Sequence, residues 1–220
     1  MLVVVNRKGQ SREGAGVATA KKPTTTGATP RSRAKSDRRS QLLAAAERLV
    51  AEHGFLGVRL EDIGAAAGVT GPAIYRHFPN KEALLVELLV GISTRLLEGA
   101  TAVVADSQNP TSALDGLVDF HLDFTLTEPE LIRIQDRDLA HLPASAKRQV
   151  RRAQREYVEL WVDVLRRVDD ELEDADARLA AHAAFGLLNS TPHSVRPGAF
   201  RESSRAMLRA MTLAALTRRS

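Results

Sequence analysis

Two short clusters hold the residue types that ligate divalent metals or move protons: Asp119, His121 and Asp123, then Asp136, Asp138 and His141. Either would suit metal-assisted or general acid–base chemistry if its members converged. Both lie in segments with helical periodicity, where residues four apart share a face and residues two apart do not. Asp119 and Asp123 therefore lie together while His121 points away, and Asp138 and His141 share a face that Asp136 leaves. No nucleophile elbow, HExxH helix or phosphate-cradling Gly loop accompanies them. The chain has no Cys, which excludes a disulfide scaffold, thiolate metal sites and a Cys nucleophile. The expectation is a protein that is not an enzyme, with no catalytic residue, cofactor or metal assigned. A divalent ion acting as co-effector would reveal itself through metal-dependent melting.

A different chemistry is written between Val58 and Leu84, VRLEDIGAAAGVTGPAIYRHFPNKEAL. Ile63, Ala66 and Ala67 give a short helix one apolar face, and Gly68 follows as the residue able to take the left-handed position past a helix end. Val69 is a buried plug, the Thr70 hydroxyl is placed to cap a second helix, and Pro72 suits that helix's first turn. Gly64 and Ala67 are small where the two axes must cross, and Ile74 pins the second helix onto the first. Two helices joined by so short a turn fit the helix-turn-helix motif, whose second helix enters the major groove of DNA.

The residues that follow, YRHFPNKEAL, complete a pattern that closely resembles the signature of the TetR family of bacterial transcriptional repressors. The resemblance implies an all-α protomer: an N-terminal three-helix helix-turn-helix domain, a linking fourth helix, and a C-terminal helical ligand-binding and dimerisation domain. It also implies a homodimer bound to a palindromic operator in double-stranded DNA. By position, Tyr75, His77 and Lys81 correspond to phosphate contacts, and Thr70, Gly71, Pro72, Ala73 and Arg76 belong to the recognition surface. Where many members carry a Thr that caps the second helix, this chain has Arg59, which leaves the cap open and offers a longer, charged phosphate contact. Read singly, Tyr75 and Phe78 would be core aromatics, Lys81 a solvated charge and His77 a core-closing residue. Their joint spacing favours DNA contact, with Phe78 alone assigned to the core.

Stepping along the chain, residues 1–40 hold ten Lys or Arg against two acids, a net +8 in a protein of +4 overall, so residues 41–220 carry −4. Residues 1–35 lack a periodic apolar face and read as a disordered basic arm, either adding phosphate or minor-groove contacts or serving as a solubilising tail. Residues 36–83 read as the DNA-binding domain and 84–220 as the effector-binding and dimerisation domain. The apolar run Leu2–Val5 is too short for a signal peptide or a membrane span. A cytoplasmic protein with no membrane partner is expected.

Helical periodicity continues to the end of the chain. One helix is expected near Leu42–Val50, stopping at His53-Gly54, and others follow the Asn80 cap, the Asn109-Pro110 break, Pro129 and Pro143. Residues 174–190 and 199–217, with Ala177, Ala180, Ala181, Ala184, Phe185, Phe200, Met207, Leu208 and Met211, read as a dimerisation surface, or else as cover for the monomer's own core. A mainly apolar effector pocket is expected from Leu89, Ile92, Leu96, Phe120, Phe124, Ile134 and Trp161, with His121, Gln135 and Asn189 as polar anchors or simply as satisfied core groups. The stretch RIQDRDLAHLP is similar to actinobacterial TetR members tied to lipid or acyl-CoA metabolism, which implies a small apolar or acyl-type effector, acyl-CoA or another lipid metabolite. The functional expectation is a repressor that such a ligand releases from DNA. The alternative is a helix-turn-helix activator or architectural protein with no effector, which a side-chain-filled interior would mark.

Overall fold

A computed structural model describes residues 30–190 and 202–217, and these are helical with no strand among them. The described part opens with α1 (Pro30–Gly57), whose buried stripe Leu42, Ala45, Ala46 and Val50 follows the helical repeat. This helix starts inside the segment read as an arm, so residues 30–35 are helical; the remainder of the arm lies outside the described residues. At Gly54 the backbone swings to φ 78°, ψ 156° and breaks the helical path, the stop expected at His53-Gly54. Beyond the break the buried Phe55 turns inward.

The short helices α2 (Leu60–Ala66) and α3 (Gly71–Ile74) come next. The long α4 (Lys81–Asp106) starts where the Asn80 side chain accepts from the Ala83 N–H at 2.7 Å. Then follow α5 (Pro110–Thr127), capped by Asn109, α6 (Pro129–Asp138) with a 3-10 turn at Leu139–His141, and α7 (Ala144–Val168). The last two are α8 (Asp174–Leu188) and α9 (Glu202–Leu216). Proline stands at the first turn of α5 and α6, where its missing N–H costs no bond.

Two apolar cores share α4. Leu84, Leu85, Leu88, Leu89 and Ile92 join a cluster with α1, α2 and α3 that also takes Leu131 and Ile134 from α6 and Val150 from α7. Ala100, further along α4, belongs to a second cluster with α5, α7, α8 and α9, centred on the fully buried Trp161. The core of the N-terminal helical module therefore runs past residue 83 into α6 and α7. Helix α4 is long and apolar enough to cross a membrane, but its Leu84–Ile92 face packs within the first of these cores.

Candidate DNA-reading surface and effector cavity

Helix α2 closes as its sequence requires. Gly68 sits at φ 68°, its N–H bonds Ala65 O at 3.0 Å and the Val69 N–H bonds Gly64 O at 2.8 Å, the paired bonds of a Schellman end. A Cβ on Gly64 would lie 3.2 Å from Val69 O and 3.5 Å from the Ile74 Cβ, so only a hydrogen fits comfortably where α2 meets α3. Ile74 and Phe78 are fully buried, while Thr70, Pro72, Tyr75 and Arg76 are exposed and Gly71 and Ala73 half-exposed. The solvent face of α3 thus carries the expected recognition residues.

The Thr70 hydroxyl makes no capping bond; instead the Thr70 carbonyl accepts from Ala73 N at 2.9 Å and Ile74 N at 3.3 Å. Pro72 removes one of the amides a cap would serve, and Ala73 turns its own to the backbone. After Ile74 the chain tightens, with His77 N to Ile74 O at 2.8 Å and Arg76 N to Ala73 O at 3.2 Å.

Cations and acids alternate around this surface. Arg59 holds the N-cap position of α2 without capping it. Asp62 accepts from the Arg59 N–H at 3.0 Å and from its guanidinium at 3.2 and 3.3 Å. The Tyr75 hydroxyl donates to Glu61, a bond that holds the Glu61 carboxyl below its ordinary range and raises the phenol. Lys81 departs from the expected picture: Nζ donates to Phe55 O at 2.6 Å and Val58 O at 2.8 Å and lies 4.5 Å from the Phe55 ring centroid. One of its three N–H bonds remains for a phosphate. His77 is half-buried with Nδ1 unpartnered, and its carbonyl accepts from Arg39 at 2.7 Å. Arg39, missed by the sequence reading, also pairs with Glu87 and stacks 4.3 Å from the Phe78 centroid, tying α1 to α4.

Between α4 and α8 lies a cavity of about 240 Å³. Of the expected lining, Leu96, His121, Phe124, Gln135 and Asn189 are in its wall. Leu89, Ile92, Phe120, Ile134 and Trp161 are not: Leu89, Ile92 and Ile134 are packed in the first core, and Trp161 and Phe120 belong to the second. Their stripes are apolar because a core needs them. The sequence reading overlooked Ser93, Tyr157, His182 and Phe185, which do line the wall.

The polar centre of the wall is His121, 4% exposed. Its Nε2 lies 3.0 Å from Asn189 Oδ1 and its Nδ1 2.9 Å from the Tyr157 hydroxyl. An amide oxygen only accepts, so Nε2 carries the proton and Nδ1 accepts from Tyr157. Burial lowers the His121 pKa to about 4, against a smaller upward pull from Asn189, so the ring is neutral at pH 7. Burial likewise pushes the Tyr157 phenol up. The rings of Phe185 and Trp161 complete the cluster, 5.1 and 6.1 Å from the imidazole.

Helix α6 lines this cavity with Ile132, Gln135 and Asp136 and, with the residues that follow directly, grips the break in α1. Arg137 donates to Val50 O and to Ala51 O, and to Asp138 at 3.0 Å. Asp138, 2% exposed, accepts from the Phe55 N–H at 3.3 Å, and His141 stacks on Phe55. At the other end of the junction, burial and the neighbouring Glu128 and Glu130 push the Glu47 carboxyl up to about 7, with Arg95 opposing.

Residues 42–88 match the profile of bacterial regulatory proteins of the tetR family, and residues 107–198 match the tetracyclin repressor-like C-terminal domain. The chain belongs to the TetR family. The HTH-type transcriptional repressor KstR2 of Rhodococcus jostii (strain RHA1) is 30% identical over 132 residues, which span 60% of this chain and 65% of that protein, just under two thirds of its length. The structure of the ketosteroid transcriptional regulator KstR2 of Mycobacterium tuberculosis superposes with a TM-score of 0.71 at 22% identity, covering 81% of this chain and 93% of that one. AibR, solved in complex with isovaleryl coenzyme A and operator DNA, gives 0.68 at 19% identity over 80% and 96%. At such identities the structural likeness speaks to fold alone.

Within this TetR fold the two carboxylate–His clusters are dispersed. Asp119 and Asp123 pair with Arg205 and Arg209 of α9, whereas His121 faces the cavity. Asp138 and His141 serve the α1 junction while Asp136 lines the cavity wall. On α8 and α9, Ala177, Ala181, Ala184 and Leu208 are buried in the protomer's own core, so part of the expected dimer face looks inward. Leu179, Met207 and Met211 are the large apolar side chains left outward, at 69%, 56% and 49% exposure. Phe200 lies outside the described residues.

Proposed function

We propose that this TetR-family chain is a cytoplasmic, homodimeric transcriptional repressor, released from a palindromic operator by a small apolar or acyl-type ligand. The observation that carries the reading is the α6 arrangement: one helix supplies wall to the 240 Å³ cavity and, through Arg137 and Asp138, holds the end of α1. A ligand that shifts α6 acts directly on the DNA-binding module. The cavity also weighs against a helix-turn-helix protein with a filled interior and no effector. Acyl-CoA is the favoured effector class, supported by isovaleryl coenzyme A in AibR.

In this reading Thr70, Gly71, Pro72, Ala73 and Arg76 face the bases, and Tyr75, His77 and Arg59 meet phosphates, with Lys81 in a secondary role because two carbonyls already hold it. Tyr75 and Arg59 exchange Glu61 and Asp62 for phosphate on binding. Leu179, Met207 and Met211 contribute to the dimer interface, and the segment before α1 adds basic charge beside the DNA. The test is a gel-shift titration of the protein on DNA flanking its own gene. Arg76→Ala is expected to change which sequence is preferred, each base contact being worth ~1–3 kcal/mol, and acyl-CoAs are expected to weaken binding roughly 5–150-fold. A dimer that binds one operator with the same affinity whether or not a cavity ligand is bound would refute the effector role.

A further inference from the structure

Almost every arginine among the described residues beyond α3 is paired with a carboxylate. Among the described residues from Lys81 onward, each arginine has a carboxylate within ion-pair distance except Arg148, Arg151 and Arg155. These three lie on one stretch of α7, in a part of the chain whose formal charge is net acidic. Like charges one helical turn apart repel, so leaving Arg151 and Arg155 unneutralised costs the helix some stability.

Their place suggests why. Arg151 and Arg155 line a groove of about 300 Å³ between α7 and α8. Gln154, Val158 and His182 belong to the walls of both this groove and the effector cavity, so the two spaces adjoin. The third guanidinium of the groove, Arg178, is held by Glu159 at 2.6 Å and Asp174 at 3.3 Å. Open positive charge is thus confined to the α7 side, next to a chamber whose wall carries the rings of Phe124, Tyr157 and Phe185, with Asp136 as the acid in its lining.

We infer that Arg151 and Arg155 form an anion subsite at the mouth of the cavity, so that the ligand is an amphiphile with its apolar body in the chamber and a phosphate or carboxylate head on these guanidiniums. The inference rests on the reading of the chamber as the effector site. A guanidinium fork matches both head groups, and charge-assisted bonds of this kind are among the stronger polar contacts. Gln154 and His182 at the neck offer hydrogen-bonding groups between body and head.

Trp161 is the chain's single tryptophan; it is buried with its ring 5.0 Å from that of Phe185, which lines the chamber. Its emission therefore reports filling. The full-length protein is titrated with decanol, decanoate and decanoyl-CoA, which share a chain and differ in the head. The expected result is that at least one anionic probe binds roughly tenfold or more tightly than decanol, with a preference that shrinks as salt rises. The paired substitution Arg151→Ala with Arg155→Ala is expected to abolish that preference while leaving decanol affinity unchanged, and the paired Lys substitutions to retain most of it. Decanoate against decanoyl-CoA tells a carboxylate head from a phosphate one. Equal affinity for all three probes, or a preference that survives in the paired Ala variant, overturns the subsite and leaves the chamber's role standing. If no probe perturbs Trp161 in the folded protein, the effector reading falls and the subsite with it.

Discussion

His121 is the residue whose environment differs most from its sequence context. On α5 it stands between Asp119 and Asp123, yet those acids turn outward to Arg205 and Arg209 and the imidazole turns inward to Tyr157 and Asn189. Its pKa of about 4 lies below the ordinary 6.5, so the unfolded chain takes up a proton that the folded one refuses. The sign follows: this group imposes no penalty above pH 6.5, and stability is lost progressively as pH falls from 6.5 toward 4, by on the order of 3 kcal/mol. Glu47, raised to about 7, works in the opposite sense between pH 4.5 and 7, so the wild-type profile alone does not isolate either group. The comparison that does is His121→Gln against wild type: the variant is expected to melt closer to wild type, or above it, at pH 4.5 than at pH 7.5. Parallel melting curves across that range would show that the imidazole titrates normally.

At the scale of elements, the break in α1 is where the two halves of the chain hold each other. Lys81 at the start of α4 bonds the carbonyls of Phe55 and Val58, and Asp138 at the end of α6 accepts from the Phe55 N–H. Lys81→Ala is expected to cost about 1–3 kcal/mol of stability by stranding those carbonyls. Operator affinity falls with it at every salt concentration. If the slope of log affinity against log salt also drops by about one contact per protomer, the remaining N–H reaches phosphate as well. Asp138→Asn keeps the shape of the clamp but removes its charge pair with Arg137. The expected outcome is operator binding near that of wild type with release by decanoyl-CoA at least about fivefold weaker, since coupling is a difference between two states that α6 must transmit. Undiminished release in a gel shift would move the transmission to α4.

For the whole molecule, the question is what covers α8 and α9. Leu179, Met207 and Met211 are large and exposed on the protomer, and the proposed reading of two half-sites calls for a symmetric contact. Replacing Leu179 and Met211 together by Glu is expected to give a folded monomer in sedimentation, since neither side chain is in the protomer's core, and to weaken operator binding roughly 100-fold or more by uncoupling the half-sites. A variant that stays dimeric would place the interface elsewhere.

The sequence by itself determined the helices, their order and the motif. Gly68 must be left-handed, Gly64 must be small and Asn80 must cap, because these are local demands of backbone geometry that a neighbour a few residues away enforces. It also marked His121, Gln135, Asn189, Leu96 and Phe124, which the fold brings to one cavity. Tertiary structure decided the rest. Periodicity says that Leu89, Ile92 and Trp161 face inward, but a packed core and a cavity wall ask for the same apolar stripe, and only the arrangement of neighbouring helices separates them. The Thr70 cap failed for a related reason, since the Ala73 amide chose a backbone carbonyl. Lys81 looked like a free charge because its two acceptors lie 26 and 23 residues away. Contacts over such separations are set by how α1, α4 and α6 meet, and no spacing within a single helix encodes that meeting.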